Sequence, residues 1–252
     1  MRTSTPEPFG DAQYYYKYYH KEAPASSLSN PGAAYSVLCW WDYGYWISRI
    51  AHRVPFSNPG TAQRGEHFYF MAQNIQEASK ISADWGLKYI VVNDYLVNWT
   101  SGFKVVAGDA SQPLSKYFEI YYRSQGGKLV PTLLYYPEFY KTMAVRLYCF
   151  DGKQYTPGEI AVIAWEQKTD AGGNPYKEIT ALQTFRNYND AVAYIDSQKG
   201  GNLRIVGKDP DISPVPLEEM AGYKLAYGSS QTVKMGTIDM PEVKVFEYTG
   251  GR

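Results

Sequence analysis

SVLCWWDYGYWISRIAHR, residues 36–53, decides the fold of this chain. The surrounding run 34–41, AYSVLCWW, is short, apolar and unbroken, which reads as a buried strand. Tyr43, Trp46, Ile47 and Ile50 then recur at helical spacing. Asp42 stands between the two patterns and reads as the helix N-cap, because a short acidic side chain can accept from the free amides of a first turn. A strand that hands over to a helix at this point leaves one acid beside two indoles.

Working outward, segment 64–85 reads as a helix, with a capping-box pattern at Asn74–Glu77 and Gly86 as its stop. KYIVV, residues 88–92, is a second buried strand and ends at Asn93-Asp94. Strand, helix and strand in that order predict an α/β unit with a parallel pair. Ligands of such sheets sit at the carboxyl edge of the strands. Asp42 and Asp94 are therefore expected on one edge. Residues 95–140 are mixed and tyrosine-rich, with Gly126-Gly127 and Pro131. Later strands are expected at 159–167, 177–185, 203–207, 223–229 and 243–248, and a helix at 189–198 capped by Asn189. The fold class is thus α/β in the mixed, α+β sense. Residues 1–150 form an α/β core carrying the motif, and 151–252 a β-rich continuation that is either separate or part of the same core.

The 252 residues carry zero formal net charge and no Lys/Arg run, which argues against nucleic acid as a partner. Tyrosine is unusually frequent, 25 against 10 Phe, which fits either Tyr-rich β-structure or a surface that meets other molecules. No stretch reaches the roughly 18 apolar residues of a membrane span, and no signal-peptide core follows Met1. Met1 reads as an expression start, and the chain as a soluble piece of a longer protein. Cys39 and Cys149 are too few for a disulfide framework and read as buried small hydrophobes, with a bridge between them left open.

His20, His52 and His67 lack zinc-type spacing and read as surface or capping residues. GxSxG, catalytic-cysteine and phosphate-loop patterns are absent. Trp40-Trp41-Asp42-Tyr43-Gly44 remains, with two readings: a capping Asp among core aromatics, or a small polar pocket. In the second, indole N–H groups donate, the carboxylate accepts, and one hydroxyl can satisfy both. Gly44 would let a ligand approach closely.

WWDYG at 40–44 is identical to the signature pentapeptide of the oligosaccharyltransferase catalytic subunit, and WWDYGYWISRIAHRVPFSNPG resembles its archaeal form. Tyr45 stands where some relatives have histidine. KYIVVND, MAVRLYCFDG, MAGYKLAYGS and VKVFEYTG resemble further segments of the family's carboxyl-terminal soluble domain, in order along the chain. The resemblance implies that Trp40, Trp41 and Asp42, with Tyr43 and Gly44, hold the hydroxyl of the +2 Ser or Thr of an Asn-X-Ser/Thr acceptor. It also implies a second element, the DK or MI motif. Asp94 and Lys104 match it, although the order here is Gly-Phe-Lys where the family has Gly-Lys-Phe.

The family transfers oligosaccharide from a lipid-linked donor, using acidic residues and a divalent metal, Mn²⁺ or Mg²⁺, in a helical membrane domain that has no counterpart in these residues. The resemblance therefore implies an acceptor-reading domain on the extracellular face of a cell membrane, inactive alone, with no catalytic or metal-binding residue of its own. The competing expectations are a carbohydrate-binding module and a structural ectodomain. One sequon, Asn98-Trp99-Thr100, lies in the chain itself and reads as a chance occurrence.

Overall fold

A computed structural model describes residues 1–20, 34–60, 65–198 and 200–250. Helix α1 (Ala12–His20) precedes strand β1 (Ser36–Leu38). A 3-10 turn, Trp41–Tyr43, leads into α2 (Gly44–Arg49), and α3 (Glu66–Met71) and α4 (Ile75–Asp84) follow. Next come β2 (Leu87–Asn93), α5 (Asp94–Val97) and α6 (Gly102–Asp109). The hairpin β3 (Phe118–Gln125) and β4 (Lys128–Tyr135) precedes α7 (Pro137–Lys141) and α8 (Met143–Phe150). Strands β5 (Ile160–Thr169) and β6 (Pro175–Phe185), helix α9 (Tyr188–Ser197) and strand β7 (Leu203–Val206) come next. Strands β8 (Tyr223–Gly228), β9 (Thr232–Met235), β10 (Ile238–Pro241) and β11 (Val243–Tyr248) complete the order.

The strands form two main sheets, in orders β1-β2-β11-β8 and β4-β3-β6-β5-β7, plus the β9–β10 hairpin. Each main sheet takes strands from both sides of residue 150. The expected parallel pair is present: β1 runs beside β2, with Leu38 opposite Ile90. The mixed α+β class holds. Helix α8 forms the centre of the core. Met143, Ala144, Val145, Leu147 and Tyr148 on it are fully buried, so it is apolar on nearly every face, as a helix with no solvent side must be. It packs on α3, α5, α7 and β2.

Several expectations are corrected. The strand expected at 34–41 pairs only over Ser36–Leu38. Cys39 and Trp40 continue the apolar run because they are buried, not because they are laddered. The helix expected at 64–85 is two helices, parted by Ala72, whose ψ of 138° is extended; residue 64 lies outside the described residues. The cap itself is nevertheless real: Glu77 N donates to Asn74 Oδ1 at 2.7 Å, so Asn74 starts a second helix. Gly86 adopts φ +59° at the end of α4, as a glycine stop should. At α9 the cap is Asn187 rather than Asn189, whose own amide donates to Asn187 Oδ1 at 2.8 Å. Gly126 and Gly127, with φ of +56° and +76°, close the β3–β4 hairpin in the left-handed turn its twist requires.

One face of the five-stranded sheet carries Tyr121, Tyr136, Ile163 and Val206. Long side chains roof it. Lys177 Nζ lies 4.4 Å from the Trp165 ring, and the Arg204 guanidinium 3.4 Å from the Tyr136 ring. Tyr136 donates to Glu119 Oε2 at 2.5 Å, and Lys177 donates to the same oxygen. Burial alone would raise the Glu119 pKa, but the bonds from Lys177 and Tyr136 outweigh it and hold it below the ordinary value. A lowered carboxylate pKa stabilises the fold above the unfolded value of about 4.3, and that contribution is lost as pH falls through the folded value. Glu119→Gln should therefore cost about 1–2 kcal/mol in denaturant melts at pH 7, and the gap from wild type should close toward pH 3.

Candidate functional site

The motif is held by its own chain. Val37 N donates to Val54 O and Phe56 N to Val37 O, both at 2.8 Å, so segment 54–56 runs alongside β1. Arg53, fully buried, clamps the start of the chain: its Nε donates to Thr5 Oγ1 at 2.8 Å, and its Nη2 to Thr5 O at 2.5 Å and Arg2 O at 2.9 Å. A Cβ on Gly44 would lie 2.2 Å from the Ser57 carbonyl oxygen and 2.5 Å from Asn58 Cα. The expected close approach at Gly44 is therefore real, but what approaches is the chain's own backbone and not a ligand.

Asp42 is not the cap of α2. The 3-10 turn intervenes, and Tyr43 occupies the cap position without a side-chain bond. A tighter turn before the helix carries the carboxylate away from the α2 amides. Asp42 is instead exposed. Burial of its surroundings raises its pKa above the ordinary carboxylate value, while the amides of Tyr43 and of Asp42 itself pull the other way. The two indoles beside it differ. Trp40 is only 2% exposed and belongs to the core. Trp41 packs against that core from outside, with ring centroids 6.3 Å apart. Its Nε1 is buried and has no hydrogen-bond partner among the described residues.

Asp94 opens α5 directly after β2. β1 and β2 run parallel, and Asp42 and Asp94 each follow the carboxyl end of one of them, so the two acids lie toward one edge of the sheet. Burial raises the pKa of the Tyr43 phenol first, the charge of Asp42 adds to this, Asp94 and Tyr95 add further, and a hydrogen bond from Asn93 opposes them. Lys104 does not complete a trio. It is exposed on α6, and among the described residues no ion pair joins it to either acid. Gly102, just before it, has no room for a Cβ, which would lie 2.1 Å from Tyr95 O; α6 is pressed against the end of α5.

Three groups here escaped the sequence reading. Asn93, 6% exposed, donates from Nδ2 to the Tyr43 hydroxyl at 2.7 Å. Glu66 is fully buried, and neither carboxylate oxygen has a partner among the described residues. It lies close enough to Cys39 to help raise that thiol's pKa, after burial and Asp42. His67 is 8% exposed, contrary to the surface reading. Both cysteines are free thiols. Among the described residues no three His, Cys, Asp or Glu side chains converge on a metal position. The chemistry available at the motif is hydrogen bonding: an indole donor, a phenol and two carboxylates.

At the internal sequon, Asn98 Oδ1 accepts from Thr100 N at 3.0 Å and from Thr100 Oγ1 at 2.7 Å. The hydroxyl that a sequon reader must hold is turned inward. Peptide mapping of native protein should find Asn98 unmodified; a glycopeptide there would mean that this turn opens in the folded protein or is modified before it closes. Gly44→Ala should cost about 2–4 kcal/mol in thermal or denaturant melts, because a methyl group must displace the backbone at Ser57.

A family model for the AglB core domain matches residues 1–97. The dolichyl-monophosphooligosaccharide–protein glycotransferase AglB of Haloferax volcanii is 25% identical, over 92% of this chain and 24% of its own length. Dolichyl-phosphooligosaccharide–protein glycotransferase 3 of Archaeoglobus fulgidus is 28% identical over 60% of this chain and 20% of its own length. The chain thus spans about a quarter of the length of the curated relatives it matches. Among solved structures, the A. fulgidus oligosaccharyltransferase with zinc and sulfate superposes with a TM-score of 0.54 at 18% identity, covering 98% of this chain and 34% of that one. The A. fulgidus AglB complex with an inhibitory peptide and a dolichol-phosphate gives 0.53 at 21% identity, over 99% and 31%. Over residues 1–97 in sequence, and in overall fold, this chain is similar to the archaeal AglB oligosaccharyltransferases.

Proposed function

We propose that this chain is the carboxyl-terminal soluble domain of an oligosaccharyltransferase, and that it reads the +2 Ser or Thr of an Asn-X-Ser/Thr acceptor. The observation that carries the reading is a donor next to an acceptor within one turn. The Trp41 indole N–H is buried and has no partner among the described residues, and Asp42 is exposed. A hydroxyl both accepts and donates, so it satisfies the two together; a methyl group satisfies neither. Such a site can reject the analogue lacking the hydroxyl by roughly 10⁴-fold.

The role of the domain is positioning. Holding residue +2 at the sheet edge sets where the acceptor asparagine lies, and fixed placement is itself catalytic when the partner groups are preorganised. The lipid-linked donor, the divalent metal (Mn²⁺ or Mg²⁺) and the acids that act on the asparagine amide belong, in this reading, to a membrane domain outside the chain. The protein would then lie at the cell membrane with this domain on its extracellular face. Trp46 and Ile50 on α2, 63% and 69% exposed beside the motif, suit a surface that meets another part of the protein. Asp94 is assigned to the second motif, with Lys104 as its partner once acceptor is bound.

In the full-length transferase, Asp42→Ala should abolish the preference for Asn-X-Thr over Asn-X-Val acceptor peptides, measured by kcat/KM. An unchanged preference overturns the assignment. The pH dependence has a definite sign. Asp42 must be ionised to accept from the hydroxyl, and its raised pKa means that acceptor binding weakens with falling pH above the ordinary aspartate value of about 3.9. The same raised pKa makes ionised Asp42 a small cost to folding at neutral pH, relieved as pH falls. The acceptor KM should therefore rise on acidification in the wild type and stay flat in Asp42→Asn.

A further inference from the structure

We infer that Asn93 is a positioning residue of the acceptor site and acts through the Tyr43 hydroxyl; the inference rests on the reading above. Asn93 is the last residue of β2, paired with Val243 of β11, so its backbone is fixed by the sheet. Its side chain crosses from the end of β2 to the turn that follows β1, and Nδ2 donates to the Tyr43 hydroxyl at 2.7 Å. This bond directly joins the two strand ends that carry Asp42 and Asp94.

The direction of the bond sets the role of the phenol. A hydroxyl oxygen that accepts from an amide turns its own proton away from that amide. Asp42 and Tyr43 share one 3-10 turn, so the proton left free by the Asn93 bond is available at the turn that carries Asp42. Tyr43 thus presents a donor there, next to the acceptor-only carboxylates. An acceptor peptide held at this edge offers hydroxyl and carbonyl oxygens, and the phenol is placed to donate to one of them.

Stability does not account for the amide. Asn93 is 6% exposed, and its Oδ1 is buried without a partner among the described residues. A buried carbonyl left unpaired costs stability, whereas an apolar side chain of the same shape at a strand end would carry no such cost. The amide is suited to holding Tyr43, and the cost of its spare oxygen belongs to that task.

The test is a double-mutant cycle in the full-length transferase, with Asn-X-Thr peptide and lipid-linked donor varied separately. Asn93→Leu, which keeps the shape and removes the donor, should raise the peptide KM roughly tenfold, with kcat and the donor KM within about twofold. Tyr43→Phe should give the same split, and Asn93→Leu should add nothing in the Tyr43→Phe background. A peptide KM unchanged by Asn93→Leu, or effects that add fully in the double variant, overturns the inference. Equal losses on both substrates would also overturn it, since they would mark a merely structural residue. Asn93→Ala serves the same cycle if the leucine variant does not fold. Asp42→Ala, run in parallel, separates the two levels. If it abolishes hydroxyl preference while Asn93→Leu changes nothing, only this inference fails. If it leaves the preference intact, the acceptor-site reading fails, and this inference with it.

Discussion

Asp42 and Asp94 are remote in sequence, and they come to one edge only because β1 and β2 run parallel, with Leu38 beside Ile90. Parallel strands cannot be joined by a tight turn, so the chain must travel back through α2, α3 and α4 before β2 begins. That excursion also builds the frame around the motif. Its first part returns along β1 at Val54–Phe56, brings the Ser57 carbonyl against Gly44, and carries Arg53 to the start of the chain. Its last part is the helix whose glycine stop releases β2. Strand direction, the tight fit at Gly44 and the Arg53 clamp are therefore one constraint seen at three places.

On that frame the polar groups are left in a costly state. The Trp41 indole N–H, the Asn93 carbonyl and the Glu66 carboxylate are all buried without partners among the described residues. Tyr117 Oη and Asp109 Oδ2 are in the same state, while other buried polar groups are paired. Arg53 has several partners, Lys244 donates to Asp151 Oδ1 and Tyr148 O at 2.7 Å each, and Asp211 accepts from Thr237. A ligand that pairs with such a group relieves that cost. The acceptor-site reading does not use Glu66.

Much of this was legible in the sequence where the signal was local. The pairing of β1 with β2, the cap at Asn74, the stop at Gly86 and the later strands follow from patterns a few residues long. The errors came where tertiary contact decides. The run 34–41 is apolar because it is buried, and burial outlasts the ladder by Cys39 and Trp40. Asp42 met every local condition for a cap, but a 3-10 turn, set by how Gly44 seats against Ser57, moved the helix start past it. Helix α8 is apolar on almost all faces, so it has no period to detect. Glu66 and Asn93 are ordinary polar residues until the fold buries them.

The same contacts explain why the site suits recognition. Trp40 is core and cannot move without disturbing Leu38 and the sheet, while Trp41 leans on that core with its indole N–H buried and without a partner among the described residues. Asp42 is exposed, and the amides of its own turn favour its charged form. Tyr43 is tied to β2 through Asn93. A donor, an acceptor and a phenol held on rigid elements have little freedom left to lose when a hydroxyl arrives, and that is the condition for discriminating one small polar group from a methyl.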